Sequence, residues 1–312
     1  MRPSCVIVRT AIVDAVDPID DLLRGVRAAG ADLCRTELSP PWSLRFADEA
    51  SLTLCAPLRG GGWLSVADNA EPRWLRVGDT AIVRGHGKAV LTDRPRTTSS
   101  VGPSTTARTV LLTGTYHVRS AVSRRLLDVL PPVLVVPDSD DCAVVREFLD
   151  TQAAACPPGR QVVRDRLVDW LMVCTLREWF DQPEVAGSGW VRGFDDSVVG
   201  PVLRAMHAAP DKPWTLATLA REARVSRTTL VDRFGGLVGE PPLAYLTHWR
   251  MSVAADLLTG STMTVGAVAH EVGYADAFGF SSAFKRIHGL SPTAYRRNCR
   301  ADAACAGAAC GA

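Results

Sequence analysis

The sequence predicts an α+β chain of two domains: an N-terminal β-barrel with flanking helices, and a C-terminal all-α domain with two helix-turn-helix units. Three observations carry this expectation. Between Leu52 and Val83, short alternating stretches are cut by Gly and Asp turns. From about 139 to 182 the apolar period becomes helical. Near the C-terminus, Gly239-Glu240-Pro241-Pro242-Leu243-Ala244-Tyr245 recurs as Gly289-Leu290-Ser291-Pro292-Thr293-Ala294-Tyr295, an offset of 50 residues.

In the N-terminal part, Leu52 and Leu54 alternate with polar neighbours and Arg59-Gly60-Gly61-Gly62 makes a turn. Trp63 to Val66, Trp74 to Val77 and Ala81 to Val83 follow as strands, separated by Asp68-Asn69 and Gly78-Asp79. Many short strands with such turns predict a barrel or sandwich. Trp42, Trp63, Trp74, Cys34 and Cys55 are candidates to line an effector cavity, and tryptophans at strand spacing equally make plain core. The stretch from Arg94 to Arg108 reads as a loop. Val163, Leu167, Trp170, Leu171, Cys174 and Trp179 then trace one helical stripe, able to bury against the barrel or a second subunit. Gly187-Ser188-Gly189 marks a linker, placed at 187–195 between a domain at 1–186 and one at 196–298.

Within the repeat, Leu216, Leu219, Ala220 and Ala223 share a helix face, and the series resumes at Leu230 and Phe234 after a turn at Arg224-Val225. Ser226 stands where its hydroxyl caps the second helix. In the second copy, Val265, Val268, Ala269 and Val272 form the first face, Gly273 offers positive φ at the turn, and Phe280 and Phe284 anchor the next helix. Leu243, Leu246, Trp249, Val253, Leu257 and Leu258 predict a long amphipathic connecting helix.

Composition bounds the function. With 312 residues and 47% hydrophobic side chains the chain is globular, and no N-terminal run is long enough for a signal peptide or membrane span. A cytoplasmic protein without membrane contact is expected. Residues 1–194 hold 23 basic and 23 acidic side chains, while 195–300 hold 12 and 9. The positive excess lies with the repeat and permits nucleic-acid binding without establishing it. Nine cysteines without a Cys-x-x-Cys pair exclude a disulfide framework or structural zinc as the organising principle. Residues 299–312 read as a disordered Cys, Ala and Gly tail whose thiols either sense oxidants or metals or are incidental.

The segment Ser226-x-x-x-Leu230-x-x-x-Phe234, Gly239-x-x-Pro242-x-x-Tyr245, Val268-Ala269-x-x-Val272-Gly273-Tyr274, Phe280-Ser281-x-Ala283-Phe284-Lys285-Arg286 and Gly289-x-Ser291-Pro292-x-x-Tyr295 resembles the DNA-binding domain of the AraC/XylS family of bacterial transcription regulators. The barrel pattern resembles the cupin-type sensing domain that often precedes it. The resemblance implies that Ser226, Arg227, Thr228, Thr229 and Val231 belong to the first recognition helix, and Ala277, Phe278, Gly279, Ser281 and Ser282 to the second. Arg233, Lys285 and Arg286 are suited to phosphates. Asp232 and Ser282 stand where family members commonly carry Arg or a long polar residue, which removes DNA contacts. Metal-binding cupins use several His and a Glu; this domain has only His86 and His117, so neither metal nor cofactor is expected. The implied partners are promoter DNA, an unknown small effector, RNA polymerase if the protein is an activator, and a second copy in a homodimer. Two alternatives stay open: a regulator acting through protein contacts, and a cupin-type enzyme.

Overall fold

Alternating side chains in the first half build two facing antiparallel sheets. One contains β1 (Cys34–Leu38), β3 (Leu52–Arg59), β6 (Thr80–Arg84), β8 (Thr109–Tyr116) and β9 (Val133–Val136), in the order β1-β8-β3-β6-β9. The other contains β2 (Ser43–Arg45), β4 (Gly61–Val66), β5 (Arg73–Arg76) and β7 (Ala89–Thr92), in the order β2-β7-β4-β5. This computed structural model describes residues 34–46, 51–66, 71–85, 89–95, 108–118, 120–138, 144, 146–148, 160–182 and 191–309.

Strand β3 shows why the larger sheet is the centre of its domain. Cys55 points between the sheets with Trp42, Leu64, Leu75, Leu91 and Leu111, whereas Leu52, Leu54 and Ala56 join a cluster with Val168 and Leu171 of helix α2 (Arg160–Phe180). Buried on both faces, β3 reads as a nearly continuous apolar run. Gly114 of β8 allows the helix to approach: a Cβ there would stand 3.0 Å from Val168 Cγ1. Tyr116 Oη donates to Val168 O at 2.6 Å, which ties strand to helix. Helix α1 (Ala121–Val129), which follows β8, and strand β9 do not stand out in the sequence pattern. Of the helical region expected over 139–182, α2 supplies 160–180, and most of 139–159 lies outside the described residues.

Two boundary expectations change. Residues 187–190 of the expected linker lie outside the described residues, but Val191–Asp195 form a short helix, α3, with Phe194 buried. Gly193 lets Leu203 and Val199 close in, since an added Cβ would meet them at 3.1 and 3.2 Å. The expected disordered tail is instead helical through Ala309, as the end of α10 (Pro292–Ala309). Alanine is the strongest helix former, and here it extends a helix already nucleated.

The remaining helices are α4 (Val199–Ala208), α5 (Leu216–Glu222), α6 (Arg227–Val238), α7 (Pro242–Gly260), α8 (Val265–Glu271) and α9 (Ala277–His288). Helix α7 is not one-sided as its pattern suggested. Leu243 is exposed, while Met251, Ser252, Ala254 and Ala255 are buried beside Leu246, Trp249 and Leu258. Its first half joins the apolar cluster of α4 and α6, and its second half joins Val268, Phe280 and Phe284. Both units therefore dock on one rod.

His207 sits at the heart of the first docking. Its ring stacks on Trp249 at 3.7 Å between centroids, and Nε2 lies 2.7 Å from Tyr245 Oη. Burial, with a lesser push from Arg125, depresses its pKa to about 3. The unfolded chain takes up this proton below about pH 6.5; the folded chain does so only near 3. Stability is therefore lost as pH falls from 6.5, by up to about 1.4 kcal/mol per pH unit for this one proton. Denaturant unfolding of His207→Gln between pH 6.5 and 4.5 should show a pH slope smaller by about one proton than the parent; equal slopes would contradict a neutral buried imidazole.

Candidate nucleic-acid interface

Each unit is assembled by the same local devices. Thr215 caps α5 by accepting from the Thr218 amide, and Thr264 caps α8 through the Ala267 amide. Chain reversal follows at equivalent places, with Arg224 at φ 56° and Gly273 at φ 79°. The Val225 amide then donates to Ala220 O at 3.0 Å, and the Tyr274 amide to Ala269 O at 2.9 Å. Ser226 Oγ accepts from the Thr229 amide to start α6, and Asp276 accepts from the Phe278 and Gly279 amides to start α9. Leu230 and Phe234 in one unit, Phe280 and Phe284 in the other, are fully buried. The opposite faces of α6 and α9 are left to solvent.

Those faces differ in chemistry. On α9, Phe278, Ser282, Lys285 and Arg286 are exposed at helical spacing. The equivalent positions of α6 hold Thr228, Asp232, Gly235 and Gly236, so two glycines replace the basic pair and an acid replaces a serine. A Cβ at either glycine would meet nothing within 4 Å, so packing does not require them. Arg227, Thr228 and Thr229 are exposed, as is Ala277, while Val231, Gly279 and Ser281 are half-buried. The Ser226 hydroxyl is occupied in its cap, 2.8 Å from Thr229 Oγ1. Arg233, expected at phosphate, is held by Asp196: its Nε and Nη2 donate to that carboxylate at 2.9 and 2.7 Å. Asp196 also accepts from the Val198 and Val199 amides at the start of α4. The hydrogen bond from Arg233 above all holds its pKa down at about 2. Arg233 thus fixes α6 against α4.

Helix α1 bridges the rear of both units. Asp256, in the last third of α7, accepts from the Ala121 amide at 2.6 Å, the Val122 amide at 3.2 Å and Ser120 Oγ at 2.6 Å. It satisfies the first amides of a helix 135 residues away in sequence, beside the N-cap Ser120, whose Oγ accepts from the Ser123 amide at 3.1 Å. Arg125 lies 4.8 Å over the Tyr245 ring and 3.8 Å from Glu240, and Arg124 reaches Tyr295, the equivalent tyrosine of the second copy. Ala121 is buried in the second unit's cluster. Nothing in the local pattern around 121–129 announces this role, because every partner is distant in sequence.

The five candidate effector residues do not converge. Trp42 and Cys55 lie between the sheets. Strand alternation puts Trp63 on the opposite face from Leu64, where it meets Trp74 edge-on at 5.4 Å. Cys34 is exposed on β1. Burial pushes the Cys55 thiol up to about 12, so it stays protonated. The Trp42 Nε1 donor is buried without a partner among the described residues. His117 is exposed, and His86 lies outside the described residues.

A family model described as Cupin matches residues 17–181, and one described as Helix-turn-helix domain matches residues 219–298. The chain is 31% identical over 300 residues to an AraC-like transcription regulator of Streptomyces lividans, covering 91% of this chain and 99% of the relative. Identity to one of Streptomyces antibioticus is 30%, with the same coverage. Among solved structures, the DNA-binding domain of AdpA, a global transcriptional factor, in complex with a target DNA is 34% identical over 32% of this chain and 91% of that chain, at a TM-score of 0.32. Among the described residues, no helix is long and apolar enough to cross a membrane. The chain belongs to the AraC family of DNA-binding transcription regulators, with a cupin domain ahead of its paired helix-turn-helix units.

Proposed function

We propose that α6 and α9 enter two successive major-groove segments of a promoter, in the bacterial cytoplasm, under control of a small effector bound between the sheets. The observation that carries this is the exposure of both helix faces while their buried sides dock on the single helix α7. Arg227, Thr228, Thr229 and Val231 face base edges from α6; Ala277, Phe278, Gly279, Ser281 and Ser282 do so from α9. Lys285 and Arg286 hold phosphates, and the second unit carries most of the electrostatic affinity because Gly235 and Gly236 carry no charge. Ser226 and Arg233 act through position, as a cap and as the partner of Asp196. Asp232 is repulsive to phosphate and is suited to a cytosine amino group. No catalytic role is assigned to the cupin domain.

The functional units are 1–186 for effector binding and 196–298 for DNA. The Trp42 Nε1, unpaired among the described residues and set in an apolar interior, fits an effector with an acceptor on an apolar body. Its binding would reach the DNA-binding units through β8, which runs directly into α1. The exposed Val163 and Trp170 on α2 suit a second copy in a homodimer, and contact with RNA polymerase applies if the protein activates.

A second reading, regulation through protein contacts with weakened DNA binding, is favoured by Asp232 and the glycine pair of α6. Selection of bound genomic fragments with the purified full-length protein, then footprinting across a salt series, separates the two. Two protected segments about one helical turn apart are expected. Removing Lys285 or Arg286 should weaken binding and reduce the salt slope by about one. Uniform weak retention without a footprint, converted to salt-sensitive binding by Asp232→Arg and Ser282→Arg, would favour the second reading.

Coupling through α1 is tested separately. Asp256→Ala should cost about 1 kcal/mol, the usual worth of a cap, and speed hydrogen exchange at Ala121 and Val122 while leaving the caps of α6 and α9 unchanged. Unaltered exchange at α1 would remove Asp256 as the coupling contact.

A further inference from the structure

We propose that Phe278 is a thymine reader, inserted against the C5-methyl group of a thymine in the half-site that α9 enters; this rests on the DNA-reading assignment above. Phe278 is 85% exposed, the highest value among the described large apolar side chains that face solvent. It lies in the first turn of α9, flanked by the small residues Ala277 and Gly279, with Ser281 and Ser282 beyond. Nothing beside it competes for reach. It shares a helix face with Ser282 and Lys285, so a groove that brings a phosphate to Lys285 also brings base edges to the phenyl ring.

The charges around Phe278 favour an uncharged contact. Asp276 accepts from the Phe278 and Gly279 amides, both at 2.8 Å, so these donors are occupied and a carboxylate stands at the helix start. That end of α9 is poorly suited to a phosphate. In the major groove the one apolar group on a base edge is the thymine methyl. A phenyl ring has no hydrogen bond to offer, and its discrimination comes from covering that methyl. The equivalent position of α6 is the exposed Thr228, whose hydroxyl can hydrogen-bond a base edge. The two helices therefore read with different chemistry, one by hydrogen bonds and one by apolar contact.

The test uses duplexes of a footprinted fragment with thymines in the α9 half-site replaced singly by deoxyuridine, which removes only the methyl. The parent protein should lose about four-fold in affinity at one position, the worth of one buried methyl group. Phe278→Ala should bind more weakly to the thymine duplex and be indifferent to the deoxyuridine change, while Phe278→Leu keeps part of the sensitivity. The side chain is exposed, so both variants should fold as the parent does. A parent indifferent to deoxyuridine at every position, or a Phe278→Ala variant with unchanged DNA affinity, overturns the inference; the latter result assigns the ring to a protein surface. A footprint without methyl dependence leaves DNA reading intact and defeats this proposal alone, whereas the absence of any footprint defeats both.

Discussion

Helix α7 is the constraint on which the other features of the DNA-binding half depend. Leu246 and Trp249 are built into the apolar cluster of the first unit, and Met251, Ala254, Ala255 and Leu258 into that of the second. A helix packed from several sides cannot rotate without opening both clusters, so the separation and relative turn of α6 and α9 are set by one element. Small residues make this possible. Ala254 and Ala255 bring the second unit close to the rod, as Ala220 and Ala269 bring paired helices together within each unit. The stacked His207 and Trp249 extend the same rigidity to α4, and the Asp196–Arg233 pair extends it from α4 to α6.

On that rod the cupin half has a defined foothold. Helix α1 contributes its N-terminus to Asp256 and its two arginines to the equivalent tyrosines of the two copies, so a shift of α1 acts on both units together. The arrangement does not cover the outer faces of α6 and α9, since Thr228 and Phe278 remain exposed. In the reading proposed above, control exerted here would change how firmly the units are held and would not block the exposed faces of α6 and α9. The energies involved are those of a helix cap and a few partly buried charges, about 1 to 3 kcal/mol. That range suits a switch between two populated states.

What could be read from the sequence follows the range of each interaction. The doubled unit was legible because its cores repeat: Leu230 and Phe234 against Phe280 and Phe284, with Ser226 and Gly273 marking cap and turn. These signals operate within a few residues of one another. The Asp196 partner of Arg233 is not legible locally because it lies 37 positions away, nor is the role of Asp256, because the helix whose amides it meets is 135 positions away. The tryptophans could not be sorted into one cavity because composition alone does not say which face of a strand is inward. Trp63 and Trp74 proved to pair on the face opposite Leu64. The alanine-rich end was read from low complexity as disorder, when helix propensity was the stronger local fact. The contrast between the two helices at their last turns is carried by the sequence itself, with Gly235 and Gly236 at the 50-residue offset from Lys285 and Arg286.

In the proposed reading, two unlike recognition helices act as one rigid bipartite reader. The most direct measurement is the affinity of the full-length protein for a footprinted fragment with about five base pairs, half a helical turn, inserted between the two protected segments. A rigid rod predicts that binding falls to the level of the better single half-site, and that insertion of a full turn does not restore it. Affinity maintained through either insertion would mean that α7 does not fix the spacing, and would contradict the account.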